Sequence, residues 1–187
     1  LMVPTPVSHP PAVETPSPLG MDPESLLLSR ELTPRALEVW TSMLGLELQV
    51  NEQAAEATTG HRRWSGCIAL SGDWRGAVTV SCIDPMARII TGAMFGMAPE
   101  EASDAEIQDA IGEMANILGG QTKQVLGDKC VLGLPVVIEG ESFEATVPHS
   151  QSVVKLRFLC EGLPVQVSVV GAVGRPSLRR DPRLVEG

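Results

Sequence analysis

The chain has 187 residues, 43% of them apolar, which is the size and composition of one folded domain of about 100–200 residues. Its 23 acidic residues outnumber its 14 basic ones, giving a formal net charge of −9, and it has three Trp, three Phe and no Tyr. This composition excludes the basic face and the base-stacking platform of a typical nucleic-acid binder. The sequence contains neither an apolar run of about 18 residues nor a signal-peptide pattern, so it predicts a cytoplasmic protein without a membrane span.

The cysteines and histidines predict neither a disulfide framework nor a metal site. The four cysteines lie far apart, without a C-x-x-C pair: Cys67, Cys82, Cys130 and Cys160. We interpret them as reduced, mostly buried thiols. The three histidines have no metal-ligand spacing. We therefore expect no metal ion or cofactor of the protein's own.

Both ends of the chain differ in composition from its centre. Seven of the 15 prolines fall within residues 1–23, where large apolar residues are scarce. We predict a disordered Pro-rich segment at 1–24 and a disordered basic tail at 175–187, because neither can bury enough apolar surface to offset its ordering entropy. The folded domain is predicted at 25–174, and both ends should be dispensable for folding.

The first half of the domain predicts two helices separated by strands. The first helix covers 33–44, with Thr33 as the cap and Pro34 at the first helical position. Three extended runs follow: 46–51, 64–72 and 76–83. The last two form a hairpin, because a short Gly-flanked loop joins them. The second helix covers 84–96 and begins with Asp84 as its cap.

The second half predicts one long helix and then strands. The helix covers 104–126, and Ser103 with Glu106 forms a capping box. Four extended runs follow: 134–139, 141–147, 151–160 and 163–173. Short loops between consecutive strands favour antiparallel pairing. The predicted fold class is therefore α+β, with about three helices packed on a mainly antiparallel sheet.

The long helix has two distinct faces at a helical period of 3.6 residues. Its apolar stripe is Ile107, Ile111, Met114, Leu118 and Val125. A second stripe, here called the Glu113 stripe, is Asp109, Glu113, Asn116, Gly120 and Lys123. Glu113 and Asn116 lie one turn apart, so their side chains project in nearly the same direction. A carboxylate beside a carboxamide offers hydrogen-bond acceptors and donors in a fixed arrangement.

Small residues lie beside the Glu113 stripe, at Gly112, Ala115 and Gly119. A glycine inside a helix costs about 1 kcal/mol relative to alanine, so a compensating gain is expected. One interpretation is that these residues let a neighbouring strand or helix pack closely. The other is that the absence of large side chains beside Glu113 and Asn116 lets this face of the helix dock into a partner's pocket.

The segment DAIGEMANILGGQTK resembles the signature helix of the CheC/CheX family of chemotaxis phosphatases, in the pattern Asp109-x3-Glu113-x2-Asn116. The preceding hairpin and helix, and the strand GLPVVIEG, are also similar to that family, so the resemblance covers roughly 64–173. A single copy of the signature helix looks more like CheX than CheC. The family often has Gly-Asn after the signature Asn, whereas this chain has Gly120-Gln121.

The resemblance implies a phosphatase that acts on the aspartyl phosphate of a CheY-like receiver domain. By resemblance, Asn116 would orient the attacking water, and Glu113 would pair with the receiver's lysine. Gly112 and Gly120 are further candidate partner contacts, and Asp109, one turn before Glu113, is either a contact at the partner's rim or a solvated residue near the helix start. Magnesium would come from the receiver, and the protein would need no cofactor of its own. An acyl phosphate is already reactive, so positioning a water in line with phosphorus would suffice.

The resemblance also implies a homodimer that pairs through its sheets. The apolar run at 163–173 favours this, because we expect it to need cover on both faces or at an edge. The alternative to catalysis is a non-catalytic receiver-binding adaptor or structural module of the same fold. The middle domain of FliM, a flagellar switch component, is related in this way and lacks the activity.

Overall fold

A computed structural model of the chain describes residues 22–54, 61–127, 130–141 and 147–174. Three α-helices are present there, α1 (Pro23–Val39), α2 (Asp84–Phe95) and α3 (Asp104–Leu126), with a short π-helical extension of α1 at Trp40–Leu44 and a 3-10 turn at Pro99–Glu101. The strands of the described part are β1 (Leu48–Val50), β2 (Arg63–Gly72), β3 (Gly76–Ile83), β4 (Cys130–Gly140), β5 (Ser150–Cys160) and β6 (Leu163–Ala172).

The six strands form one antiparallel sheet in the order β1-β5-β6-β3-β2-β4. Alternate strand residues face the helices and form one core with them, including Trp64, Ile68, Val78, Val167 and Phe158. The long helix α3 lies over β4, β2 and β3. The predicted α+β class, with three helices on an antiparallel sheet, is confirmed.

The start predicted for the first helix is wrong. Helix α1 begins at Pro23, and the Asp22 carboxylate accepts hydrogen bonds from the backbone N–H groups of Glu24 and Ser25. The cap residue and the proline of the first turn, predicted at Thr33 and Pro34, are therefore Asp22 and Pro23. Pro34 lies inside the helix. The added turns bury an apolar side of their own, with Leu28 and Leu32.

The second helix has the predicted extent but not the predicted cap. Ile83 is the cap residue and Asp84 is the first helical residue, so no side chain caps this end. The Asp84 carboxylate instead accepts hydrogen bonds from Trp64 Nε1 at 2.9 Å and from Arg88 Nε at 2.7 Å. Arg62 Nη1 lies 3.8 Å from the same carboxylate, and the bond from Trp64 ties the start of the helix to β2. The end of α2 at Gly96, in the left-handed conformation, is as predicted.

The strand predictions after the long helix are confirmed for β4, β5 and β6, whereas residues 142–146 of the run at 141–147 lie outside the described residues. The run at 163–173 is not at an edge, because β6 lies between β5 and β3. Its inward residues Val165, Val167 and Val169 are buried beneath the helices. The expectation that this run forms an edge is therefore wrong, and the edges of the described sheet are β1 and β4.

The cysteines are free thiols, with Cys67 half-buried and Cys82, Cys130 and Cys160 buried. Burial raises the pKa of the Cys82 thiol to about 12, which keeps it protonated and unreactive. Among the described residues, no group of three or more His, Cys, Asp or Glu side chains is placed to hold a metal ion. No helix within the described ranges is long and apolar enough to cross a membrane.

Candidate functional site on helix α3

The start of α3 is fixed by its own cap. Ser103 Oγ accepts a hydrogen bond from the backbone N–H of Glu106. In return, the Glu106 carboxylate accepts one hydrogen bond from the backbone N–H of Ser103, at 2.8 Å, and another from the Ser103 hydroxyl. These hydrogen bonds hold the pKa of Glu106 below its ordinary value. The predicted capping box is therefore confirmed, and it sets where the helix begins.

Arg62 ties the first turn of α3 to the sheet. Its guanidinium donates two hydrogen bonds to the Asp104 carboxylate, at 2.9 and 2.8 Å, and one to Glu139 on β4. It also stacks on the Trp64 ring at 4.7 Å from the centroid. The hydrogen bonds to Asp104 and Glu139 raise the pKa of Arg62 above its ordinary value, and the same contact lowers the pKa of Asp104. One side chain therefore joins α3, β2 and the edge strand.

The far end of α3 is tied to α1. Arg35 Nη1 donates to Gln121 Oε1 at 3.1 Å and to Gln124 Oε1 at 2.9 Å. Gln121 stands where the resembling family often has asparagine. The two carboxamides and the guanidinium thus fix the last turns of α3 beside α1.

The apolar stripe of α3 faces the sheet as predicted. Ile107, Ile111, Met114 and Leu118 are buried, and Val125, near the end of the helix, is half-buried. The stripe therefore anchors the helix and leaves the Glu113 stripe on the opposite side.

The interior glycines of α3 allow the helix to lie close to the sheet. A Cβ placed on Gly119 would lie 2.6 Å from Ile68 Cγ2, and a Cβ on Gly112 would lie 3.5 Å from Val137 Cγ2. Both glycines are buried against the sheet. Close packing, the first of the two interpretations, explains Gly119 directly.

The structure brings most of the predicted site residues together on the outer side of α3. Asp109, Glu113 and Asn116 are exposed, and Gly120 is half-buried with no atom within 4 Å of a Cβ placed on it. Gly112 is different, because it is buried and faces β4. The accessible surface therefore comprises the Glu113 stripe, and the buried Gly112 is not available as the partner contact predicted for it.

The carboxylate and the carboxamide point to the same place. Asn116 Nδ2 lies 3.5 Å from Glu113 Oε2, a long and weak hydrogen bond that keeps the two groups adjacent. Within the described residues, neither side chain has another hydrogen-bond partner. The Glu113 carboxylate can thus accept a hydrogen bond from a cationic donor. The Asn116 amide can both donate a hydrogen bond to a water molecule and accept one from it.

The sequence alone did not indicate two residues that lie near the site, Arg62 and Arg35. Arg62 precedes β2 and Arg35 lies on the first helix, both distant in sequence from α3. No spacing rule connects them to residues 104–124. Their contacts arise only when the sheet and helices pack.

The structure is an α+β protein with a six-stranded antiparallel sheet and three helices packed on it. Its candidate site is a carboxylate–carboxamide pair on the exposed side of the longest helix. The sequence model of the family described as chemotaxis phosphatase CheX matches residues 64–159, which is 96 of the 187 residues. The chain belongs to this family.

Solved structures share the fold. The chemotaxis protein CheX from Vibrio vulnificus is 20% identical, with a TM-score of 0.65 over 79% of this chain and 97% of that one. The CheX–CheY–BeF3–Mg complex from Borrelia burgdorferi is 18% identical, with a TM-score of 0.63 over 77% and 97%. The middle domain of FliM from H. pylori is 11% identical, with a TM-score of 0.52 over 81% and 91%. No curated protein matches the chain.

Proposed function

We propose that this chain is a phosphatase that accelerates hydrolysis of the aspartyl phosphate of a CheY-like receiver domain. The observation that carries the proposal is the exposed pair of Glu113 and Asn116 on α3, in a chain that belongs to the CheX family. The Borrelia relative, which was solved with CheY, supports a receiver as the partner. With such a partner, the proposed location is the cytoplasm.

In the proposed reaction, a water oxygen forms a bond to phosphorus while the bond from phosphorus to the aspartyl oxygen breaks. The products are inorganic phosphate and the free aspartate. Asn116 would hold the water in line with the breaking bond through its carboxamide. An amide is a poor base, so its contribution is orientation, and the reactivity resides in the acyl phosphate.

Glu113 would accept a hydrogen bond from the receiver's lysine and thereby fix the docking register. A charge-assisted bond of this kind is stronger than a neutral one and is sensitive to position. The magnesium ion would belong to the receiver, which supplies the charge neutralisation that phosphoryl transfer requires. The chain's own contribution is thus one orienting amide and one anchoring carboxylate.

The test measures loss of phosphate from a purified phosphorylated receiver under single-turnover conditions. Asn116→Ala should slow the maximal rate by about 100-fold or more, because a positioning contribution of several kcal/mol is lost. Binding to a receiver carrying an acyl-phosphate mimic should change little. Gln108→Ala is the matched control, since it removes an exposed carboxamide from another side of the same helix. Wild-type activity in Asn116→Ala would rule out the orienting role.

Glu113→Ala should weaken binding as well as slow the reaction, because the receiver's lysine loses its partner. The alternative function, a non-catalytic adaptor, gives a different result. In that case the wild-type chain binds the receiver but leaves its rate of phosphate loss unchanged.

We propose in addition that the chain forms a homodimer through β4. Within the described sheet, β4 is an edge strand of eleven residues, and its exposed apolar side chains are Val131, Leu134, Val136 and Ile138. A long apolar edge is a template for pairing with another strand.

Light scattering tests the homodimer. The wild-type chain should give about twice its 19.9 kDa mass at micromolar concentration. Val136→Lys should give a monomer, while Val50→Lys on the opposite edge strand β1 should leave the dimer intact. A wild-type particle of monomer mass would refute this proposal and leave the phosphatase proposal standing.

A further inference from the structure

The Glu113 stripe has opposite charges at its two ends. Asp109 and Glu113 lie toward the start of α3, whereas Lys123, the one basic residue of this helix, lies in its last turn. The neutral residues Asn116 and Gly120 separate them. The stripe is therefore acidic at one end and basic at the other.

Arg35 reinforces the basic end from α1. The groups that hold its guanidinium, Gln121 Oε1 and Gln124 Oε1, are neutral carboxamides. Within the described residues Arg35 makes no ion pair, although Glu31 and Glu38 lie one turn away on α1. The contrast is Arg62, whose charge is matched by carboxylates. The charge of Arg35 is thus positioned but not neutralised.

The geometry leaves Arg35 able to bind a carboxylate. Both hydrogen bonds to the carboxamides use Nη1, and a guanidinium has further N–H groups on Nη2 and Nε that match a carboxylate in a planar, two-point contact. The neighbouring Gly120 has open space above it. An incoming group can therefore approach this end of the helix without steric hindrance.

Arg35 lies within reach of a receiver docked on Asn116. At a rise of about 1.5 Å per residue, Gln121 and Gln124 lie roughly 8 and 12 Å along the helix from Asn116. A small transient interface of about 600 Å² per partner corresponds to a disc of roughly 14 Å radius. Gln124 lies about 80° around the helix from Asn116, so a receiver centred on Asn116 would meet the guanidinium at the rim of such an interface.

We propose that Arg35, supported by Lys123, is a specificity-determining contact that binds a carboxylate on the receiver's surface and fixes the direction of docking. This rests on the proposed function. The fitting receiver carries its lysine opposite Glu113 and an acidic side chain roughly 16 Å away along α3. A receiver docked in the reverse direction along α3 would place like charges against each other at both ends of the stripe, which disfavours that pose.

The experiment titrates the phosphorylated receiver with the full chain in single-turnover assays at low salt. Arg35→Glu should raise the half-saturating concentration at least 10-fold and leave the maximal rate within about twofold of wild type. Arg35→Gln, which preserves a polar side chain but removes the charge, should give a smaller increase, and Arg35→Lys, which keeps the charge but loses the planar two-point contact, should give the smallest increase of the three. The matched control is Arg30→Glu, on the same helix, whose wild-type side chain is 79% exposed and paired with Glu31. It should leave binding unchanged.

Thermal unfolding of each variant separates lost contact from lost folding. If Arg35→Glu is unfolded, Arg35→Gln carries the test, and its binding defect should diminish at high salt. Wild-type binding by both variants would overturn the inference while the phosphatase proposal stands. An equal defect in Arg30→Glu would overturn it as well, because a general charge effect would then explain the result. A wild-type chain that stimulates no receiver would overturn both proposals.

Discussion

Gly119 and Gly120 are adjacent in α3, yet alanine at the two positions should have opposite effects on stability. Both substitutions favour the helix by about 1 kcal/mol through lower conformational entropy of the unfolded chain. They differ in what the added methyl group meets. At Gly119 it would lie 2.6 Å from Ile68 Cγ2 and 3.2 Å from Leu132 Cδ2, while at Gly120 nothing lies within 4 Å.

The contact at Gly119 cannot be relieved by a small side-chain motion. Ile68 is fully buried on β2, and its Cγ2 methyl is attached directly to a branched Cβ with few permitted rotamers. Helix and strand must move apart, and overpacking of this kind costs about 1–3 kcal/mol. Subtracting the helix gain of about 1 kcal/mol, Gly119→Ala should lower the free energy of unfolding by up to about 2 kcal/mol.

Gly120→Ala has no such cost and should raise the free energy of unfolding by about 0.5–1 kcal/mol. The two variants should therefore differ by about 2 kcal/mol, or roughly 4–8 °C in melting temperature for a domain of this size. Urea unfolding followed by circular dichroism measures the difference. Gly112→Ala, with its nearest atom at an ordinary 3.5 Å, should resemble Gly120→Ala more than Gly119→Ala. Equal stabilisation by Gly119→Ala and Gly120→Ala would refute the close-packing explanation.

Three further measurements test other parts of the structure. A chain that begins at residue 25 loses the Asp22 cap and the hydrogen bond from Trp74 Nε1 to Glu24 at 2.9 Å. It should therefore melt about 4–8 °C below a chain that begins at residue 22. Equal melting temperatures would contradict this. The Ser25 hydroxyl and backbone N–H bonds lower the pKa of Asp22, so its stabilisation exists above the unfolded pKa near 4 and disappears as pH falls through the folded value. The stability difference between wild type and Asp22→Asn should therefore shrink as the pH falls below about 4, and a difference that stays constant there would be evidence against this linkage. Arg62→Gln should cost about 1 kcal/mol, less at high salt, through loss of the Trp64 and carboxylate contacts; no change in thermal unfolding would show that this network adds nothing to stability.

Local patterns were sufficient to predict α3 and its two faces. Its capping box, its apolar stripe and the Glu113–Asn116 pair depend on residues three or four positions apart, and helix geometry fixes where such residues point. The hairpin of β2 and β3 was predictable for a similar reason, because a short loop allows only antiparallel pairing.

The start of α1 was missed because its signals are ambiguous in sequence. Pro34 is typical of a first helical position, but it also lies within a helix when the surrounding residues pack well. Asp22 and Pro23 were assigned to the Pro-rich segment on composition. The burial of Leu28 and Leu32 against the rest of the core decides between the two starts, and no local rule contains that information.

The sequence by itself determined the class of fold and which side of α3 carries the candidate chemistry, because both follow from short-range periodicity and spacing, and the resemblance of the α3 segment indicated the family. Tertiary structure decided which glycine faces Ile68 and which faces open space, and it brought Arg35 and Arg62 to opposite ends of α3. It also placed β4, rather than β6, at an edge of the described sheet. The physical reason is that strand order and interhelical contacts join residues far apart in the chain, such as Leu48 with Cys160 and Arg35 with Gln121, and their energies depend on packing that no local window contains.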